Sequence, residues 1–307
     1  MAKELIIVQY VFNYLILMLI IAFPVFQVRA DSVKIEPILP LLADQDLDLK
    51  LVALGDRLFY DKRLSQDNSL SCADCHQLST GGTDRKARSV GVGGALGLIK
   101  APTVYNSGLN FVQFWDGRAI SLESQVAAPV HNPLEMSSSW SECISKLKRD
   151  TSMVALFNEL FEDGITGKNI SSAIATFERS LLLVNAPFDR WLMGEDDALD
   201  KQALRGYRLF KSYGCISCHQ GKNVGGNMYA HMGAMRNYFN DRQGKITSAD
   251  YGRFNVTHKE EDKHYFKVPS LRLAAVNFPY FHDGSVTTLK EAVRVMGRYQ
   301  LGRETNI

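Results

Sequence analysis

Cys72, Cys75 and His76 stand together in CADCH, and 143 residues later Cys215, Cys218 and His219 stand in CISCH. A Cys-x-x-Cys-His pentapeptide suits covalent attachment of a c-type haem: the two thiols bond the porphyrin and the imidazole binds one face of its iron. Paired cysteines also form disulfides or hold zinc. Here each histidine is followed by Gln and then by a Gly-Gly pair, Gly81–Gly82 and Gly225–Gly226, and this doubled context favours two haems. The other face of each iron then decides the chemistry. A closed iron passes electrons, whereas an open one can transform a small molecule.

Composition narrows the field. A formal net charge of +2 provides no strong field for nucleic acid, and no nucleic-acid partner is expected. With 46% hydrophobic and 22% charged residues, the 307-residue chain reads as globular and long enough for two domains. The first 30 residues differ: an apolar run from Leu5 to Phe26 precedes Val28 and Ala30, small residues that fit a cleavage site before Asp31. Residues 1–30 are read as a signal peptide. A retained membrane anchor is the alternative, because the run is long enough to span. Either way the body is exported, to the periplasm. Cys143, the fifth cysteine, lies on the apolar face of SWSECISKL and reads as a buried free thiol.

The elements that position these residues are legible as a duplication. GDRLF (Gly55–Phe59) precedes the first pentapeptide and GYRLF (Gly206–Phe210) the second, each on a predicted helix, the latter capped by Asp200. Ala101–Val126 aligns without a gap on Val268–Val293 at an offset of 167, so that Pro102, Asn110, Phe114, Asp116, Gly117 and Leu122 recur as Pro269, Asn277, Phe281, Asp283, Gly284 and Leu289. Between the copies, SSAIATFERSLLLV reads as an amphipathic helix capped by Ser171, with Ile174, Phe177, Leu181 and Val184 on one face. The boundary is placed near Asn185–Trp191, giving domains over 31–186 and 187–307. No long strand pattern is present, so the fold class is mostly α.

The copies differ where a sixth iron ligand would arrive. LKEAVRVM in the second is helical, with Leu289, Ala292, Val293 and Met296 on one face. Met296 could supply a thioether or simply pack in the core. Met228, His231, Met232 and Met235 are rivals, expected instead to wrap the haem edge because they follow the attachment site closely. The repeat offset sets Pro129 opposite Met296. Proline has no ligating side chain, so the first iron is expected to be open or filled from elsewhere.

CADCH, APTVYN, FWDGR, PLEM, CISCH, PYFHDG, VMG and QLG, spread from about Leu51 to Gly302, resemble the bacterial di-haem cytochrome c peroxidases and their relatives that oxidise other proteins. The resemblance implies two class I cytochrome c-like domains in tandem, with haem groups near the domain interface. It implies two covalently bound haem c groups, on Cys72 and Cys75 and on Cys215 and Cys218, with His76 and His219 as proximal ligands. The first haem would be peroxidatic. The second, with Met296 as its sixth ligand, would accept electrons from a small donor protein, a cytochrome c or a cupredoxin. Trp115 would bridge the haems, Glu135 would be the acid–base residue over the first, and Gln125 and Pro129 would line the peroxide pocket. A carboxylate can take a proton from one peroxide oxygen and return it to the other as the O–O bond breaks. Without the resemblance, Glu135 reads as a solvated charge and Trp115 as a core aromatic. His131 reads as a surface residue that could also assist. The family also allows a homodimer.

Two departures stand out. Many members carry a histidine in a Ser-x-Gly-His-Gly loop that closes the resting first iron; here the stretch is SVGVGG, with Val92 at that place. The family's calcium uses an Asn side chain two residues before Pro-Thr. That position is Lys100, whose ammonium would repel Ca²⁺ and speaks against calcium, although carbonyls near Asn277 and Pro279 are available. Relatives continue past QLGRETNI into a closing helix, so the second domain is expected to be truncated. The expected function is reduction of hydrogen peroxide to water by an exported di-haem peroxidase. Val92 raises the alternative of a di-haem enzyme oxidising residues of a partner protein, since relatives of that kind also lack the switching histidine. Met296, where they have tyrosine, speaks against it. A non-enzymatic electron-transfer cytochrome would need both irons closed, which Pro129, Val92 and Glu135 oppose.

Overall fold

Most helices begin where the sequence offers an oxygen to their first free amides. A computed structural model describes residues 34–43, 46–242 and 244–304. Helices α1 (Leu49–Phe59), α3 (Leu122–His131), α4 (Trp140–Leu147) and α5 (Thr151–Leu160) start after Asp48, Ser121, Ser139 and Asp150, each side chain accepting from a first-turn N–H. The short α2 (Cys72–Cys75) carries the first cysteine pair. Thr166, Asp200 and Thr288 cap α6 (Gly167–Ser180), α8 (Lys201–Ser212) and α11 (Leu289–Gln300), while α7 (Pro187–Leu192) opens on proline. Two single turns, α9 (Tyr238–Asp241) and α10 (Phe254–Thr257), and one antiparallel ribbon complete the elements. In the ribbon, β1 (Tyr229–His231) pairs with β2 (Tyr265–Lys267), Tyr229 facing Lys267. The fold is mostly helical. The apolar N-terminal run, with its signal-peptide or anchor reading, lies outside the described residues. Among those described, no helix is long and apolar enough to cross a membrane.

The helix expected from Ser171 starts earlier and ends sooner. Thr166 caps it, and Leu181 leaves the helical register because its carbonyl accepts from Asn106 N–H at 2.9 Å, while Leu183 N–H donates to Asn106 Oδ1 at 3.0 Å. Asn106 therefore ends α6 from a distant part of the chain. This long-range contact overrides the apolar pattern at Leu181 and Val184.

The main core forms where α1 and α3 pack on α6, from Leu54, Leu58, Phe59, Val126, Val130, Ile170, Ile174 and Phe177. Leu58 and Phe59 are fully buried, worth about 1.5–3 kcal/mol each. Gly55 makes this close approach of α1 and α6 possible: a Cβ there would stand 2.0 Å from the Ala173 carbonyl oxygen. Its counterpart Gly206 has nothing within 4 Å. The glycine repeats, but its packing reason does not. Cys143 is fully buried in the same core, its Sγ 3.4 Å from the Leu64 carbonyl.

The duplication appears in the backbone. Isolated bridges join Gln113 to Ala119 and Tyr280 to Val286, and both pairs are related by the offset of 167. Phe114 and Phe281 share a positive φ, 66° and 68°, as do Gly117 and Gly284, 68° and 63°. Helix α3 begins at Leu122 and α11 at Leu289, its repeat partner. Leu289 and Val293, expected inward with Ala292 and Met296, are exposed; Ala292 is buried and Met296 packs inward. Around α11 a second cluster joins Met232, Tyr238, Phe239, Phe266 and Tyr299. Next to it, a buried ionic network ties three segments: Arg242 donates to both Asp250 and Asp283, and His282 Nε2 lies 2.8 Å from Asp250 Oδ1. Burial works against the Asp250 carboxylate, but hydrogen bonds from His282, Arg242 and Thr247 hold it well below the usual carboxylate range.

Candidate active site

α2 and the loop after it present Cys72, Cys75 and His76 to one cleft, whose lining also includes residues of α3, the turn that follows it, and α6. The cleft is concave and opens to solvent at its mouth, the form usual for cofactor and small-molecule sites. Its wall contains Gln125, Pro129, Glu135 and Met136 as well as Cys72, Cys75 and His76. Residues separated by about sixty positions thus meet in one space.

The donor set fits a c-type haem. His76 Nδ1 donates to the Gly82 carbonyl at 3.3 Å, which leaves Nε2 as the free ring nitrogen. His219 repeats the device with the Val224 carbonyl, also at 3.3 Å. Burial pushes both imidazoles below their ordinary pKa, favouring the neutral form that binds metal. The glycine pairs earn their place here. A Cβ on Gly82 would meet the Thr103 hydroxyl oxygen at 2.6 Å, and one on Gly225 the Pro269 carbonyl at 2.3 Å, so each loop folds tightly against its repeat segment.

Within that lining, Pro129 falls inside α3 and has no N–H for the Gln125 carbonyl one turn earlier. The following turn is held by Asn132. Its carbonyl accepts from Glu135 N–H and Ser137 N–H, and its side-chain amide donates to Glu135 Oε1 at 2.7 Å. Val92 N–H in turn donates to the Glu135 carbonyl at 2.8 Å, pinning the loop that carries Val92 beside this turn. Val92 itself stays out of the cleft wall, to which Ser89, Val90 and Gly91 contribute. Burial raises the Glu135 carboxyl above its usual pKa, against the Asn132 hydrogen bond and the charge of Arg118. A carboxyl tuned upward in a part-buried cleft holds its proton more readily than an exposed one and is suited to take and return a proton. His131 does not join it. That ring is exposed and packs edge-on against Trp140, centroids 5.5 Å apart, because it lies on the opposite side of the last turn of α3.

Trp115 lies outside this cleft. Its Nε1 donates to the Lys100 carbonyl at 3.0 Å, its carbonyl accepts from Lys267 N–H at 2.8 Å, and its ring packs on the cluster around Met232 and Phe266. Met296 packs on the same cluster, whereas His219 sits beside Phe210. Of the rivals to Met296, Met232 is buried in that cluster and Met235 is exposed. Lys100 is buried, donates through Nζ to the Ala101 carbonyl at 3.1 Å, and is pushed down by burial to about 8. Among the cleft-wall residues that sequence reasoning missed, two carry functional groups suited to chemistry or ligation. Met136 adjoins Glu135, and Glu178 follows Ile174 by one helical turn on α6, a spacing that could have revealed it.

Comparisons with known proteins identify the family. The family model described as di-haem cytochrome c peroxidase matches residues 49–197. The chain is 47% identical to cytochrome c peroxidase Ccp of Escherichia coli (strain K12) over 88% of its own length and 57% of that protein's. It is 43% identical to cytochrome c551 peroxidase of Nitrosomonas europaea, covering 88% of this chain and 80% of that one. Among solved structures, a MauG-like protein associated with microbial copper homeostasis superposes with a TM-score of 0.71 at 30% identity, over 86% of this chain and 80% of that one. The chain belongs to the di-haem cytochrome c peroxidase family. It spans little more than half the length of the Escherichia coli relative.

Proposed function

We propose that this protein is a periplasmic di-haem c-type peroxidase that reduces hydrogen peroxide to water with electrons from a small donor protein, a cytochrome c or a cupredoxin. The observation that carries the reading is that Cys72, Cys75 and His76 line one cleft together with Gln125, Pro129 and Glu135. Residues 31–186 would form the peroxidatic domain and residues 187–307 the electron-entry domain, as two cytochrome c-like units. Cys72 and Cys75 would bond one haem c, held through His76, and Cys215 and Cys218 the other, held through His219 and Met296. Bound there, the haems would supply the redox chemistry: one would take electrons from the donor and the other would bind peroxide.

The chain's own residues would do the rest. Glu135, oriented by Asn132, would accept a peroxide proton and deliver it to the departing oxygen. Gln125 would hold the bound peroxide by hydrogen bonding. Pro129 would keep the face above the first haem free of a ligating side chain. Trp115, clamped between the main chains of Lys100 and Lys267, would hold a rigid aromatic path between the two sites.

The test is mass spectrometry on protein exported in a haem-attaching host, combined with stopped-flow peroxide reduction. Two covalent haems and oxidation of a reduced cytochrome c or cupredoxin by peroxide are expected. A single haem, or a di-haem protein inert to peroxide with every donor, would overturn the reading.

A further inference from the structure

Five titratable side chains line the cleft among the described residues: Cys72, Cys75, His76, Glu135 and Glu178. In the proposed peroxidase the thiols are consumed by thioether bonds and His76 by iron, which leaves two carboxyls. Proton bookkeeping then assigns different tasks to them. Each peroxide takes two electrons from the donor protein and two protons, its O–O bond breaks, and two waters form. A carboxylate that moves a proton from one peroxide oxygen to the other, as Glu135 would, contributes none of those two. The cleft therefore needs a proton source besides Glu135.

Glu178 has the placement such a source requires. It lies near the end of α6, one turn beyond Ile174, and is only 6% exposed although it is an acid. Among the described residues no cation neutralises it in an ion pair. Arg179, its neighbour, turns instead to Glu123 of α3, Nη2 to Oε2 at 2.9 Å. The other surroundings are Cys72 from the first Cys-x-x-Cys-His segment, Ser107 from the turn that contacts α6, and the apolar cleft-lining residues Val126, Val130 and Ile174. In that setting an ionised carboxylate is costly and the neutral acid is favoured. Burial accordingly pushes Glu178 up to about 8, against the pull of Arg179 and the nearby Ser107 hydroxyl.

We propose that Glu178 is held as a neutral acid in the cleft wall and supplies one of the two protons consumed with each peroxide, then reloads from solvent between turnovers. This rests on the peroxidase reading above. The carboxyl O–H bond breaks, and the proton passes to the peroxide oxygen that stays behind after the first water has left, as the donor protein's two electrons reduce it. The carboxylate left behind takes a proton through the open mouth of the cleft; the second proton comes from solvent.

The experiment combines infrared spectroscopy of the di-haem protein with the pH profile of peroxide turnover. In the wild type, the carbonyl stretch of a neutral carboxylic acid is expected at pH 7. It should fade as the pH rises through about 8, and turnover should fall on the same limb. Glu178→Gln is expected to remove that band, lower kcat about 10²-fold at unchanged KM for peroxide, and abolish the alkaline limb. Glu178→Asp is expected to restore a band and part of the rate. A Glu178→Gln protein with two haems, wild-type turnover and an unaltered alkaline limb would overturn the proposal. So would a wild-type protein with no neutral-acid band at pH 7. Should the Gln variant fail to take up its haems, the Asp variant decides: a shifted band assigns the proton to residue 178, and an unshifted one assigns it elsewhere. Absence of peroxide turnover in the wild type would sink the functional reading, whereas the band would still report whether Glu178 holds a proton.

Discussion

The side-chain amide of Asn132 donates to Glu135 Oε1 at 2.7 Å, so one oxygen of the carboxyl is held while the other is left for chemistry. The same residue organises the turn through its carbonyl, and Val92 N–H fixes the Glu135 carbonyl from outside. The turn therefore sets the position of Glu135, while burial raises its carboxyl against the Asn132 hydrogen bond and the charge of Arg118.

Glu135→Gln keeps the shape and the Asn132 neighbour but removes the exchangeable proton. We expect peroxide turnover to fall about 10²–10⁴-fold with both haems retained. Steady-state kinetics on haem-matched protein checks this, and wild-type turnover in the variant would take Glu135 out of the mechanism.

The first iron is expected to be open at rest. Pro129 has no ligating atom, and Val92 lies outside the cleft wall. Spectra of the oxidised protein should contain one high-spin and one low-spin ferric haem, and peroxide should alter the high-spin signals without prior reduction. Two low-spin signals at rest would contradict this and would point to Met136, whose thioether lines the cleft, rather than to the outward-facing His131.

Met296 and Met232 pack on one cluster, so the structure leaves two thioethers within it. Replacing Met296 with His is expected to lower the potential of the second haem alone, because methionine ligation raises it. Met232→Leu should leave that potential in place. Potentiometric titration separates the two, and the reverse pattern would transfer the ligand role to Met232.

The two repeat glycines provide a test of packing. Gly55→Ala drives a methyl into the Ala173 carbonyl and is expected to cost about 1–3 kcal/mol or more. Gly206→Ala meets open space in mid-helix and should stabilise by about 0.5–1 kcal/mol. Denaturant unfolding of the two variants measures both signs, and equal effects would contradict the asymmetry.

Asp250 is 1% exposed and binds Arg242 and His282 together. Asp250→Ala leaves a buried guanidinium short of its partner and should destabilise by about 3–5 kcal/mol. Thermal or denaturant melting checks this. A loss below about 1 kcal/mol would place the network with surface ion pairs.

The sequence by itself determined the two Cys-x-x-Cys-His pentapeptides, the duplication at an offset of 167, the Asp200 cap of α8 and the buried thiol of Cys143. These follow from local rules: ligand spacing, capping side chains and the helical period are written within a few residues of one another. It also pointed to Glu135, Gln125 and Trp115, but only by resemblance, since nothing local distinguishes those residues from surface charge or core aromatic. Only the tertiary structure decided that Pro129, Glu135 and Gln125 line one cleft with His76, that His131 turns away, and that Leu289 and Val293 lie outside the face on which Met296 packs. It also ended α6 at Ser180, where Asn106 captures the Leu181 carbonyl, and it carried Glu178 into the cleft. In each of these the deciding partner lies far along the chain, and contacts between distant segments leave no period or spacing in a single sequence.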